Sequence, residues 1–181
     1  AFDGKHGGLW RVRGRAMSKL LGVTFTSFGL TYSSYYRRAP DSNLPECQWI
    51  MKGLSADEPI GNFGLVGGGA AGLELDRYDL ELGTPHRAYL LAHSEGHNDI
   101  FVSVTEESTF NARGYTQGGT GDNNPWTRAD IVYYKTPNDG AVFSVGSMSW
   151  CGSLQHNDYD NNVSQIMQNV LNGFLKPGTL P

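Results

Sequence analysis

The 181-residue chain is 39% hydrophobic and 18% charged, enough apolar mass for one domain with a core of its own, which argues against disorder as its governing state. Fourteen basic residues against 18 acidic ones give a formal charge of −4, and apart from Arg11, Arg13, Arg15 and the pair Arg37, Arg38 the basic positions are scattered. The positive stripe that would neutralise phosphates is missing, so nucleic acid is excluded as a partner, and no apolar run approaches the ~20 residues of a membrane span.

With no signal-peptide pattern at the start, the expectation is a soluble, cytoplasmic protein. The chain opens on Ala1 and reaches glycine at once, which suggests a piece of a longer polypeptide. Glycine accounts for 24 residues and aromatic residues for 12%, a mix that favours a loop-rich fold with β-structure over a helical bundle. The two cysteines, Cys47 and Cys151, are too few for a disulfide scaffold at this size.

In chain order, residues 1–22 are basic and broken by glycine, and residues 23–36 alternate apolar and polar as a half-buried strand does. Pro40, Pro45 and Pro59 then mark an exposed connection around a short strand candidate, Gln48 to Met51. The stretch Gly61 to Gly72 has glycine at six of twelve positions, too little side chain for a helix or a packed strand, so its backbone is built for close approach.

Three more strand candidates follow: Arg87 to Ala92, Ile100 to Thr105, and Asp130 to Tyr134. Asn111 to Pro125 reads as a surface loop. Asp139-Gly140 predicts a hairpin joining the third strand to Ala141–Gly146. Val163, Ile166, Met167, Val170, Leu171, Phe174 and Leu175 form one helical apolar stripe, with Asn161 or Asn162 as N-cap and Pro177-Gly178 beyond its end. The spacing predicts a helix from Val163 to Leu175, packed on a sheet containing Ala141–Gly146, with the stripe mostly buried.

Several groups could carry chemistry. Cys151 and His156 lie in one polar loop, and a thiol nucleophile needs such a base; the plain alternative is a cysteine acting as a small hydrophobe. His93 and His97, four residues apart near Asp99, would share a metal on a helix, but Gly96 points to a polar turn. Glu74, Asp76 and Arg77 read as a salt-bridged helix start or as the wall of a substrate pocket beside the glycine-rich backbone. Four tryptophans and nine tyrosines leave open a non-catalytic module that stacks on carbohydrate or another subunit.

Two blocks are distinctive: Gly61-Asn62-Phe63-Gly64-Leu65-Val66-Gly67-Gly68-Gly69-Ala70-Ala71-Gly72-Leu73-Glu74-Leu75-Asp76-Arg77-Tyr78-Asp79, and Val142 to Leu154 continued through Asn157, Tyr159, Asp160, Asn161, Asn162 and Val163. Together with Gly8-Leu9-Trp10-Arg11 through Gly14-Arg15, they resemble the C-terminal part of the large (beta) subunit of N,N-dimethylformamidase. The resemblance implies the C-terminal portion of a three-layer α/β domain like class I glutamine amidotransferases, with β-rich insertions. It implies an amidohydrolase that converts N-substituted formamides to formate and an amine, working as a hetero-oligomer with the remainder of the large subunit and a small subunit.

The implied cofactor is one iron held by two tyrosines and a glutamate, a hard oxygen set suited to activating water. Those ligands are expected outside this chain, although Tyr35, Tyr36 and Tyr78 are available. Carried over by motif, Glu74 is the expected catalytic carboxylate and Phe110 an expected apolar wall of the substrate pocket.

Overall fold

A computed structural model describes residue 10 and residues 14–103 and 124–176. A short helix α1 (Ser18–Leu21) precedes β1 (Thr24–Arg38), and a long connection leads to β2 (Ala71–Arg77). After β3 (Tyr89–Glu95), β4 (Val102–Ser103), β5 (Asp130–Lys135) and β6 (Ala141–Ser144) come α2 (Ser149–Ser153), a 3-10 turn (His156–Tyr159) and α3 (Asn162–Leu175).

All strand pairs are antiparallel, in the order β2-β1-β3-β5-β6, with β4 added to β1. Residues 24–34 of β1 pair with β2, Ser27 and Phe28 also with β4, and residues 35–38 with β3. Beyond β6 the chain returns to the opposite edge: Asp76 N–H donates to Gly146 O at 2.8 Å, and Leu75 bridges Ser147. The sheet is therefore curled nearly onto itself, which leaves few unpaired edge groups. Gly146 permits this closure, since its φ is +63° and a Cβ there would stand 2.4 Å from Asp76 O.

The hairpin signal is borne out. Asp139 takes the positive φ (58°) of the turn, and Thr136 N–H donates to Gly140 O at 2.7 Å. The expected strand Gln48–Met51 is a run of turns, and the connection is not exposed: Cys47, Ile50, Met51 and Ile60 are buried. Ile60 exchanges backbone hydrogen bonds with Tyr36 at 2.9 Å, which pulls the segment down as a lid over the sheet.

Asn161 caps α3, its side-chain oxygen accepting Ser164 N–H at 2.9 Å while its amide donates to Leu154 O at 3.0 Å and His156 O at 2.6 Å. Asn161→Ala is expected to cost ~1 kcal/mol or more, measurable as faster amide exchange in the first turn of α3. The expectation of a mostly buried stripe needs correction. Val163, Ile166, Val170 and Gly173 face inward, whereas Leu171, Phe174 and Leu175 are exposed.

The reason is the connection. Asn169 donates to Ile50 O and Lys52 O, at 2.9 and 2.8 Å, and a Cβ on Gly173 would fall 2.3 Å from the Trp49 ring. Trp49 in turn meets Tyr133 of β5 edge-to-face at 5.7 Å. The helix thus reaches the sheet through the connection, and close approach at Gly173 rather than bulk at Phe174 sets its buried face.

Candidate functional site

The two distinctive sequence blocks meet in space. Residues 61–72 are pinned to β1 on one side, where Ser33 N–H donates to Gly67 O at 2.9 Å, and to α2 on the other, where Leu65 N–H donates to Gly152 O at 3.1 Å. The serines of the closing block complete the seam. Ser147 Oγ accepts Gly72 N–H and donates to Gly72 O, both at 2.8 Å, Ser149 Oγ lies 2.9 Å from Ser33 Oγ, and Ser153 Oγ donates to Phe63 O at 2.8 Å.

Most of the glycines are spent on this contact. A Cβ on Gly67 would lie 2.4 Å from Ser33 N, on Gly69 2.2 Å from Ser34 O and on Gly72 1.9 Å from Ser33 Oγ, while Gly68 alone of these faces open space. The close approach inferred from sequence is therefore mainly to the protein's own strand β1.

This packed loop delivers β2. Residues 71–77 are strand rather than a helix start, because β1 supplies their hydrogen-bond partners over the whole length. Leu75 is fully buried and Glu74, its neighbour on the other face, is exposed. Leu73 just before it holds φ at +62°, and on β1 the bulge after Gly29 holds Thr31 at +71°. Left-handed leucine and threonine cost roughly 1–2 kcal/mol each, and such outliers gather where surrounding structure fixes a functional group.

The Glu74 side chain makes no hydrogen bond or ion pair among the described residues, whereas its charged neighbours do. Arg77 binds Asp79 through two nitrogens at 2.8 and 3.1 Å and lies over the Trp126 ring at 4.7 Å. Arg128 binds the buried Asp130 at 2.9 Å, and Asp130 also accepts Tyr78 N–H at 2.7 Å. Arg77 is thus salt-bridged, but to Asp79, outside the expected group of Glu74, Asp76 and Arg77, and on a strand rather than at a helix start. Phe110, the other expected site residue, lies outside the described residues.

The remaining candidates separate. Cys151 is exposed on α2, and His156 stacks flat on Phe63 at 4.2 Å, with no hydrogen bond between the two. No three His, Cys, Asp or Glu side chains converge among the described residues. Tyr36 is buried, its hydroxyl donating to Val145 O at 2.7 Å, and burial holds its pKa well above the usual value. Burial raises Tyr78 as well, and Tyr35 lies beneath the Arg37 guanidinium. Each of these three phenols is thus accounted for by burial or by a contact within the fold.

His97 belongs to a buried polar clamp. Ser94 Oγ accepts Ala129 N–H at 2.7 Å and lies 2.7 Å from His97 Nε2. Burial lowers the His97 pKa from 6.5 to about 4. Between these values the unfolded chain binds a proton that the folded chain refuses, so stability is full above pH 6.5 and falls on acidification toward pH 4. A loss of ~1.4 kcal/mol per pH unit is expected across that window, and His97→Gln should flatten it in urea-denaturation curves.

Sequence reading passed over two neighbours of Glu74. Phe28 stands directly opposite it on β1, and Val102 of β4 stands opposite Phe28 on the far side. The signal was present in the alternation of β1, but pairing alone says which residues share a row.

Fold and site together define a curled antiparallel β-domain that holds an exposed carboxylate, without a side-chain partner among the described residues, by means of a glycine- and serine-pinned loop. The chain belongs to the N,N-dimethylformamidase beta subunit-like, C-terminal family, whose pattern matches residues 1–161. It is 46% identical over 179 residues to the N,N-dimethylformamidase beta subunits of an Alcaligenes species and of Paracoccus aminophilus. Those matches cover 99% of this chain and 23% of each relative, so the chain spans under a quarter of their length. No helix among the described residues is long and apolar enough to cross a membrane.

Proposed function

We propose that this chain is the C-terminal part of the large subunit of an amidohydrolase that cleaves N-substituted formamides such as N,N-dimethylformamide, and that Glu74 is its catalytic contribution. The observation that carries this reading is the Glu74 carboxylate itself: exposed, without a partner among the described residues, and presented by a strand with a left-handed leucine beside it. A carboxylate so placed accepts a proton from water as the oxygen attacks the formyl carbon. The C–N bond then breaks, the nitrogen takes up a proton, and formate and the amine leave.

The same reading makes the chain part of a three-layer α/β, glutamine amidotransferase-like domain. It assigns the implied iron to residues elsewhere in the large subunit, and the remaining large subunit and a small subunit to a cytoplasmic hetero-oligomer. The exposed Leu171, Phe174 and Leu175 of α3 are consistent with such packing. The test is the complete protein incubated with N,N-dimethylformamide, with formate and dimethylamine both quantified. Equimolar release supports the reading, and absence of both products overturns it.

A further inference from the structure

The row that contains Glu74 also contains two apolar side chains that are partly exposed. Phe28 is 42% exposed and Val102 43% exposed, although β1 lies between β2 and β4 at this level of the sheet. Directly paired residues of antiparallel strands point to the same side, so Glu74, Phe28 and Val102 form one line across three strands. The opposite face of the same strands is packed: Ser27 and Leu75 are buried, and Gly29 is bare because the buried Phe101 ring sits 2.7 Å from where its Cβ would be. The open row is therefore a distinct surface with its own chemistry.

Two kinds of cover are conceivable, and the carboxylate decides between them. A dry protein face laid over the row would bury Glu74, which has no cation among the described residues, and an unpaired buried charge is among the costliest things a fold can hold. A cleft that holds a small amide and its water suits both halves of the row. The carboxylate meets the water, and the phenyl and isopropyl groups meet alkyl substituents on the amide nitrogen.

Resting on the function proposed above, we propose that Phe28, with Val102 beside it, forms the apolar wall that selects N-alkylated over unsubstituted formamides. Phe28 is a specificity-determining residue in this assignment, and Glu74 performs the proton transfer. Each methyl group that packs on the wall is worth ~0.8 kcal/mol, so two methyl groups correspond to about tenfold in binding.

The experiment uses the complete protein and compares N,N-dimethylformamide with formamide for wild type, Phe28→Ala, Phe28→Leu and Glu74→Gln. In Phe28→Ala the KM for N,N-dimethylformamide is expected to rise about tenfold. Its kcat and the KM for formamide should stay within about threefold, since the lost binding is the same in ground and transition state. Phe28→Leu, which keeps an apolar surface, should recover most of the loss.

Equal losses on both substrates, or a drop in kcat with no selectivity, would mean that Phe28 is structural and would overturn the assignment; so would unchanged KM values. The two readings fail separately. A fully active Glu74→Gln beside a selective Phe28→Ala removes the proton-transfer role and keeps the wall, and an inactive Glu74→Gln beside a silent Phe28→Ala does the reverse.

Discussion

Glu74→Gln is expected to lower turnover of N,N-dimethylformamide by at least ~10² while the protein remains folded and assembled. The substitution keeps the shape of the side chain and removes its basicity, so it isolates proton transfer from packing. Because the Glu74 side chain is exposed and has no hydrogen bond or ion pair to lose among the described residues, the cost in stability should stay within about 0.5 kcal/mol. If the carboxylate takes the water's proton only in the transition state, kcat and kcat/KM fall together and KM stays put. Steady-state kinetics of the complete protein, with thermal melting as the folding control, make the check. Full activity would leave Glu74 as an ordinary exposed residue.

The largest stability effect is expected at Asp130. Its side chain is fully buried, binds Arg128 through both carboxylate oxygens at 2.9 and 3.1 Å and accepts Tyr78 N–H at 2.7 Å, and burial raises its pKa against the pull of Arg128. Asp130→Ala would remove the carboxylate partner of Arg128 Nε and leave Tyr78 N–H without its acceptor at the junction of β5 with the chain leaving β2. Removing one member of a buried pair costs ~3–5 kcal/mol. Asp130→Asn keeps an acceptor for Tyr78 N–H and should cost less. Amide exchange in the complete protein is the direct measurement: protection across residues 130–135 should drop by at least ~10² in the alanine variant. An unchanged rate would show that the pair contributes nothing to holding β5.

Much of the local structure was legible because it follows from short-range rules. The stripe and asparagine cap of α3, the Asp-Gly hairpin, and the strands around residues 24–38, 130–135 and 141–144 all appear where periodicity and turn chemistry put them. The two departures have different causes. Gln48–Met51 is held as turns by short-range hydrogen bonds, Cys47 and Gln48 N–H to Leu44 O and Ile50 N–H to Cys47 O, whereas Ala71–Arg77 is drawn into a strand by pairing with the distant β1.

The candidate site divides in the same way. Glu74 could be singled out from its place after the glycine run, since a motif is a local pattern. The glycines' actual partner, Ser33, is some thirty-five residues away in sequence and could not be read from the motif itself.

By itself, then, the sequence determined the elements with strong periodicity, the overall charge balance, and the blocks that carry the family. Each of these is encoded within a few turns of chain or in composition. Only the tertiary structure decided that Arg77 is paired with Asp79 while Glu74 is left open, that α3 turns Gly173 inward and Leu175 outward, and that Phe28, Glu74 and Val102 share one row. Those outcomes depend on strand register and long-range packing, where a shift of one residue exchanges the two faces of a strand.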